Sequence, residues 1–242
     1  MTSTHAISEN ISTRVRRAEQ RGQFDHGWLQ ARHSFSFGQF RDADWMGYQT
    51  LRVINEDTIA PKMGFGEHGH RDMEIITYPV SGAIRHRDSL GNEEDILPGM
   101  IQHMSAGSGI RHSEFNPLGE KSHLLQIWIE PRELGIEPAH QSRAFPVHDE
   151  PGRLHLLASP DGEADSLAIQ QDTRVLAGVF AKGVQYTHEL RNLNHAWVQV
   201  IKGALRVNAT PLIAGDGIAL GGLSSLNMDF DMDSEVLVFE LA

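Results

Sequence analysis

Between residues 226 and 233 apolar and polar residues alternate without a break. Leu226, Met228, Phe230 and Met232 fall on one parity, and Asn227, Asp229, Asp231 and Asp233 on the other. Side chains on a strand point to opposite faces in turn, so this pattern predicts a half-buried strand with a wet acidic face. A calcium loop is excluded, because no glycine supplies the turn that an EF-hand loop needs. HLLQIWIEP (123–131), AWVQVI (196–201) and SEVLVFEL (234–241) are further strand-like runs, rich in β-branched and aromatic residues. Gly91–Asn92, Pro98–Gly99, Gly107, Gly109 and the Gly-Asp-Gly at 215–217 punctuate them. Long amphipathic helical patterns are scarce. Short strands with frequent glycine turns predict an antiparallel sandwich or barrel.

The pattern also repeats. VSGAIRH (80–86) aligns with IKGALRV (201–207), half a chain later. Each is followed by a second glycine turn, LPGM at 97–100 and IAGD at 213–216. The order strand, glycine, strand, glycine turn in both halves predicts a duplication. Residues 130–143, EPRELGIEPAHQSR, read as a connector, which sets two β-domains at 1–132 and 133–242.

Composition narrows the functional classes. The chain has 242 residues, a formal net charge of −11 and no cysteine, which removes disulfides, thiolate metal sites and cysteine nucleophiles. The N-terminal stretch lacks a signal-peptide core and no apolar run approaches membrane-spanning length. A soluble, cytoplasmic chain is expected, with no membrane partner. The acidic balance argues against direct nucleic-acid binding, which needs a basic field. The cluster Arg14, Arg16, Arg17 and Arg21 is read as a solvated face. A monomer is expected.

The chemistry concentrates in GFGEHGHRDMEIITY (64–78) and IRHSEFN (110–116). In a strand His68 and His70 share a face, and Glu74 joins them if the strand is continuous. His112 and Glu114 repeat the two-residue spacing. Paired strands would bring three imidazoles and a carboxylate together, a donor set for one divalent ion. Parity alone leaves Glu74 and Glu114 both open as the carboxylate.

GFGEHGHRDMEIITYPVSG followed by LPGMIQHMSAGSGIRHSEFN resembles the two cupin motifs in the form used by pirins, particularly bacterial pirin-like proteins that include quercetin 2,3-dioxygenases. HGWLQARHSFSFGQF (26–40), MGYQTLRVINEDTI (46–59) and HLLQIWIEP extend the likeness over nearly the whole chain. The resemblance implies an all-β bicupin of two tandem double-stranded β-helix (jelly-roll) barrels. It implies one metal in the first barrel on His68, His70, His112 and Glu114, with Glu74 in a supporting or structural role. Fe, Mn, Co, Ni, Cu and Zn all suit such a thiolate-free set. It further implies a flavonol such as quercetin bound through its 3-hydroxyl and cleaved with O2, releasing carbon monoxide and a depside, with Glu114 as base. Phe35, Phe37, Phe65 and Met73 are candidates for the apolar surface against the flat ligand. Two other readings stand beside this one: a metal-binding regulatory protein acting through protein contacts, and an oxygenase for a different enol or phenol.

The other histidines carry weaker expectations. His103 reads as a strand interior or pocket wall, His86 as packing, His33 as pocket mouth, and His123 has no evident partner. In the second half the counterparts of His68 and His70 are Glu189 and Arg191. Those of His112 and Glu114 are Met228 and Phe230, and His188 and Glu189 face opposite ways. The C-terminal barrel is therefore expected to hold no metal.

Overall fold

The computed structural model describes residues 12–191 and 195–242, so the first eleven residues of the stretch read for a signal sequence lie outside it. Apart from two 3-10 turns its regular elements are all strands. They form two sandwiches, each a seven-stranded sheet facing a four-stranded one, the N-terminal pair preceding the C-terminal pair. Among the described residues no helix is long and apolar enough to cross a membrane.

The duplication is visible in atomic detail. Gly82 and Gly203 both adopt positive φ, 78° and 83°, between consecutive strands. A Cβ there would press on Ser122 in one half and Ser234 in the other. Each of these serines then bonds the residue after its glycine. Ser122 Oγ donates to the Ala83 carbonyl and accepts the Ala83 N–H. Ser234 Oγ likewise accepts the Ala204 N–H, while its own proton has the Met232 carbonyl at 2.7 Å as a nearer acceptor than that of Ala204 at 3.3 Å.

The two large sheets pack back to back. Ile76, Tyr78 and Ile127 from the first half meet Trp197, Leu237 and Phe239 from the second in one buried cluster. Each sandwich keeps a separate interior. In the C-terminal one, Leu226, Met228 and Phe230 lie inward among Val198, Leu205 and Val238, and Phe230 stacks on Phe180 at 4.3 Å. The strand ends at Phe230, so Met232, expected on the buried parity, is 56% exposed.

The boundary at 132/133 is crossed in both directions. Strand Ser12–Arg16 pairs with Gly217–Gly221 of the second half. Strand Ala139–Ala144, which begins within the expected connector, pairs with Met100–Ser105 of the first. Edge strands of one half are thereby covered by segments of the other. The arginine cluster is correspondingly not a solvated face. Arg16 and Arg21 are buried, pairing with Asp42 at 2.7 Å and Glu56 at 2.6 Å. Arg17 pairs with the fully buried Asp216, and Arg14 lies over the Trp45 ring. Composition showed the charges but not the carboxylates that the fold sets against them.

Candidate metal centre

Strands Gly64–His70 and Ile110–Phe115 run antiparallel in the small N-terminal sheet, with His112 opposite His68 and Ile110 opposite His70. The register slips between His112 and Glu114, where Glu114 faces Phe65. Gly64 permits the close approach, since a Cβ there would stand 2.2 Å from the Glu114 carbonyl oxygen.

The three imidazoles converge. His70 Nε2 and His68 Nε2 lie 2.9 and 3.0 Å from His112 Nε2. Two ligands at about 2.1 Å from one ion and at right angles to each other stand about 3 Å apart, so the spacing fits a shared ion. Tautomer control points the same way. His68 Nδ1 donates to the Gly66 carbonyl at 2.8 Å, which leaves its Nε2 lone pair facing the other two rings. Burial, with the neighbouring imidazoles, lowers His70 to about 4 and His112 to about 3. Both are neutral at pH 7, the form that ligates a metal.

Glu114 is buried beside them. Gln126 Nε2 donates to its Oε2 at 2.7 Å and Thr77 Oγ1 to its Oε1 at 3.4 Å. Its carboxylate is not in the group of ligand atoms lying within 4.8 Å of one another, which comprises His68, His70 and His112.

Glu74 belongs to a different surface. The chain turns at Asp72, whose φ is 51°, so Glu74 opens a new strand in the large sheet instead of continuing that of His68 and His70. There it shares parity with Ile76 and Tyr78 and faces the C-terminal half. His103 Nε2, Ser105 Oγ and the backbone N–H of Gln170 all donate to it. Burial opposes its charge, yet the bonds from His103 and Ser105 hold it below the usual carboxylate range.

A cavity of about 380 Å³ opens onto His68, His70 and Glu114, within the size range of small-molecule sites. Phe37 and Phe65 line it, as does His33, which burial and Arg21 lower to about 4. Phe35 and Met73 are absent from the lining. Phe35 is fully buried against Trp197, 4.9 Å between centroids, at the junction of the halves. Met73 packs on Ile75, Met104 and Ile110. The chain leaves its strand after His33, and Phe35 then turns into the core beside Trp45 and Trp197.

Four polar or aromatic contributors were missed from sequence. Trp128 stands edge-on between Phe37 and His70, with centroids 5.2 and 4.9 Å away. Gln126 holds Glu114, and Asp57 and Asn55 line the cavity. Burial, reinforced by Glu114 and Glu56, pushes Asp57 up to about 7. Their signal was present in the sequence: Asn55, Asp57 and Gln126 are polar residues inside apolar strand runs.

In the second half Met228 lies opposite Val207 as Glu114 lies opposite His86. With Gly82 matched to Gly203, the counterparts of His112 and Glu114 are therefore Leu226 and Met228, not the Met228 and Phe230 expected from the sequence alignment, and both lie within an apolar interior. His188 instead donates to the buried Glu240 at 2.8 Å, which also pairs with Arg174.

The pirin family profile matches residues 13–129, and that of the quercetinase C-terminal cupin domain matches 156–241. The Escherichia coli K12 protein named quercetin 2,3-dioxygenase is 42% identical over 94% of this chain and 97% of its own. The chain belongs to the pirin family. A pirin-like protein from Caulobacter vibrioides is 41% identical over 91% of this chain and 96% of its own. The crystal structure of the bacterial pirin YhhW from E. coli in complex with nickel(II) superposes with a TM-score of 0.90, at 42% identity, over 95% of this chain and 99% of that one. The pirin bicupin fold thus places a histidine trio suited to a divalent ion in its N-terminal half.

Proposed function

We propose that this pirin is a metal-dependent dioxygenase acting on a flavonol or a similar flat enol, with His68, His70, His112 and Glu114 as the metal-binding set. The observation that carries the reading is the junction of an imidazole trio, a buried carboxylate and an aromatic-walled cavity. When bound, a divalent ion would acidify an enolic hydroxyl and stabilise the resulting anion.

The chain's own residues supply the rest. Phe37 and Phe65 flank a planar ligand and exclude water from it. Trp128 fixes the plane of His70. Gln126 holds Glu114 through Oε2, and the long Thr77 contact leaves Oε1 with spare capacity to accept the hydroxyl proton. Asp57, titrating near neutrality, is available to donate a hydrogen bond to a carbonyl or phenol of the ligand. The name quercetin 2,3-dioxygenase, carried by the 42% identical relative from E. coli, supports the oxygenase.

The test is stoichiometric. Protein loaded separately with Fe, Mn, Co, Ni, Cu or Zn is given quercetin in oxygenated buffer, and O2 uptake and carbon monoxide release are measured. Equal amounts of both are expected with at least one metal. No carbon monoxide with any of them would remove the flavonol oxygenase reading.

A further inference from the structure

Beside the histidine trio lies a second group, His86, Asp88 and His140, whose ligand atoms fall within 4.8 Å of one another. His86 and Asp88 sit on strand Ile84–Asp88, directly across from Glu114 and His112. All four side chains therefore enter the same interior. The His86 ring is 5.3 Å from that of His112, and the His140 ring stacks on that of His86 at 4.8 Å and 21°.

The hydrogen-bond inventory around His86 is asymmetric. Its Nε2 lies 3.0 Å from Asp88 Oδ2. Asp88 is held in turn by the backbone N–H groups of Leu90 and Asn92 and by the Asn92 side chain. A carboxylate accepts only, so the His86 proton is on Nε2 and the Nδ1 lone pair is free. That Nδ1 is buried and has no partner among the described residues, and neither has the buried Nδ1 of His112. A His112 that directs its Nε2 lone pair at the trio must carry its proton on Nδ1. One buried nitrogen thus needs an acceptor and a neighbouring one needs a donor.

We infer that Asp88 and His86 form an outward chain of support for His112, in which Asp88 fixes the tautomer of His86 and His86 Nδ1 accepts the His112 Nδ1–H through one bridging water. The pair are positioning residues. They hold His112 in the tautomer and ring orientation that a metal requires, as carboxylate and carbonyl partners do for ligating histidines generally. His140 keeps the His86 ring in plane. A second ion on His86, Asp88 and His140 is the weaker explanation. Asp88 is already engaged by three donor groups, and two dications so close together would repel strongly in a low-dielectric interior.

The inference rests on the metal reading of His112, and the experiment separates the two. Nickel(II) and cobalt(II) affinities and the cobalt(II) absorption spectrum are measured for wild type, His86→Phe, His86→Gln, Asp88→Asn and His112→Ala, with thermal unfolding as a check on folding. His86→Phe preserves ring packing but removes the acceptor. Asp88→Asn keeps Oδ1 for the turn but presents an amide donor to His86, which reverses its tautomer. Both should weaken binding about 10–100-fold and shift the cobalt spectrum, while His86→Gln, which restores an acceptor oxygen, should recover part of the loss. In metal-free protein, imidazole 15N spectra should show His112 protonated on Nδ1 in wild type and altered in Asp88→Asn. That result stands even if the metal reading fails, which His112→Ala binding as wild type would reveal. Unchanged affinity in both His86→Phe and Asp88→Asn, with an unchanged His112 tautomer, would overturn the inference. So would a second metal equivalent in wild type that both His86→Phe and His140→Ala lose.

Discussion

Glu74 and Thr77 leave one strand, three residues apart, on opposite faces of the same sheet. Thr77 donates into the barrel interior to Glu114, whereas Glu74 accepts from His103 and Ser105 on the face turned toward the C-terminal half. The choice between two carboxylates, open by sequence parity, becomes a question of which side of a sheet each one occupies.

Glu74→Gln should therefore leave metal content unchanged and lower stability instead, by about 1–3 kcal/mol, because its buried donors lose an ionised acceptor. Glu114→Gln should reduce metal affinity with a smaller effect on the unfolding midpoint. Metal analysis paired with urea titration tests both. Metal lost from the Glu74 variant but retained by Glu114→Gln would reverse the assignment.

About one metal ion per chain is expected. His68→Ala, His70→Ala and His112→Ala should each weaken binding by more than the roughly 10–100-fold typical of losing an outer partner. His188→Ala should bind as wild type, because its ring is committed to Glu240. Equal loss of metal from His188→Ala would mean that the C-terminal half holds the ion.

Turnover offers a separate test of Glu114. Gln retains a carbonyl oxygen but takes up a proton poorly, so Glu114→Gln, reloaded and checked for metal occupancy, should bind flavonol yet turn it over about 10²–10⁴-fold more slowly. Full activity at equal occupancy would show that another group takes the proton.

The metal-free protein should lose stability as pH falls from about 6.5 toward 4. His33, His70 and His112 have folded pKa values near 4, 4 and 3, below the usual 6.5, so in that window the unfolded chain binds protons that the native state does not. Asp57 acts in the opposite sense. Its folded value near 7 means that the native state holds the extra proton, a contribution present below about 4 and lost as pH rises through 7. Asp57→Asn should then steepen the rise in stability between pH 5 and 8, as read from urea midpoints. A flatter profile in that variant would contradict the assignment of Asp57.

Much of the architecture was legible along the chain because strand parity and glycine turns are local. The alternation from Leu226 to Phe230 and the paired glycines 82 and 203 express constraints acting on a few consecutive residues, and both reappear in the structure. The spacing of His68 with His70 likewise set those rings on one face before any fold was known. Cross-strand register then decided that His112 meets them both.

What the sequence could not decide depended on partners far along the chain. Arg16 and Arg21 look like surface charges until Asp42 and Glu56 are brought against them. Phe35 looks like a pocket residue until Trp197 of the other half covers it. His86 looked like packing because neither Asp88's role in the turn nor the approach of His140 from the expected connector has a local signature. Period-two patterning assigns a side chain to one of two faces. Only sheet pairing and the packing of the two halves determine whether that face is a metal site, a core or an interface.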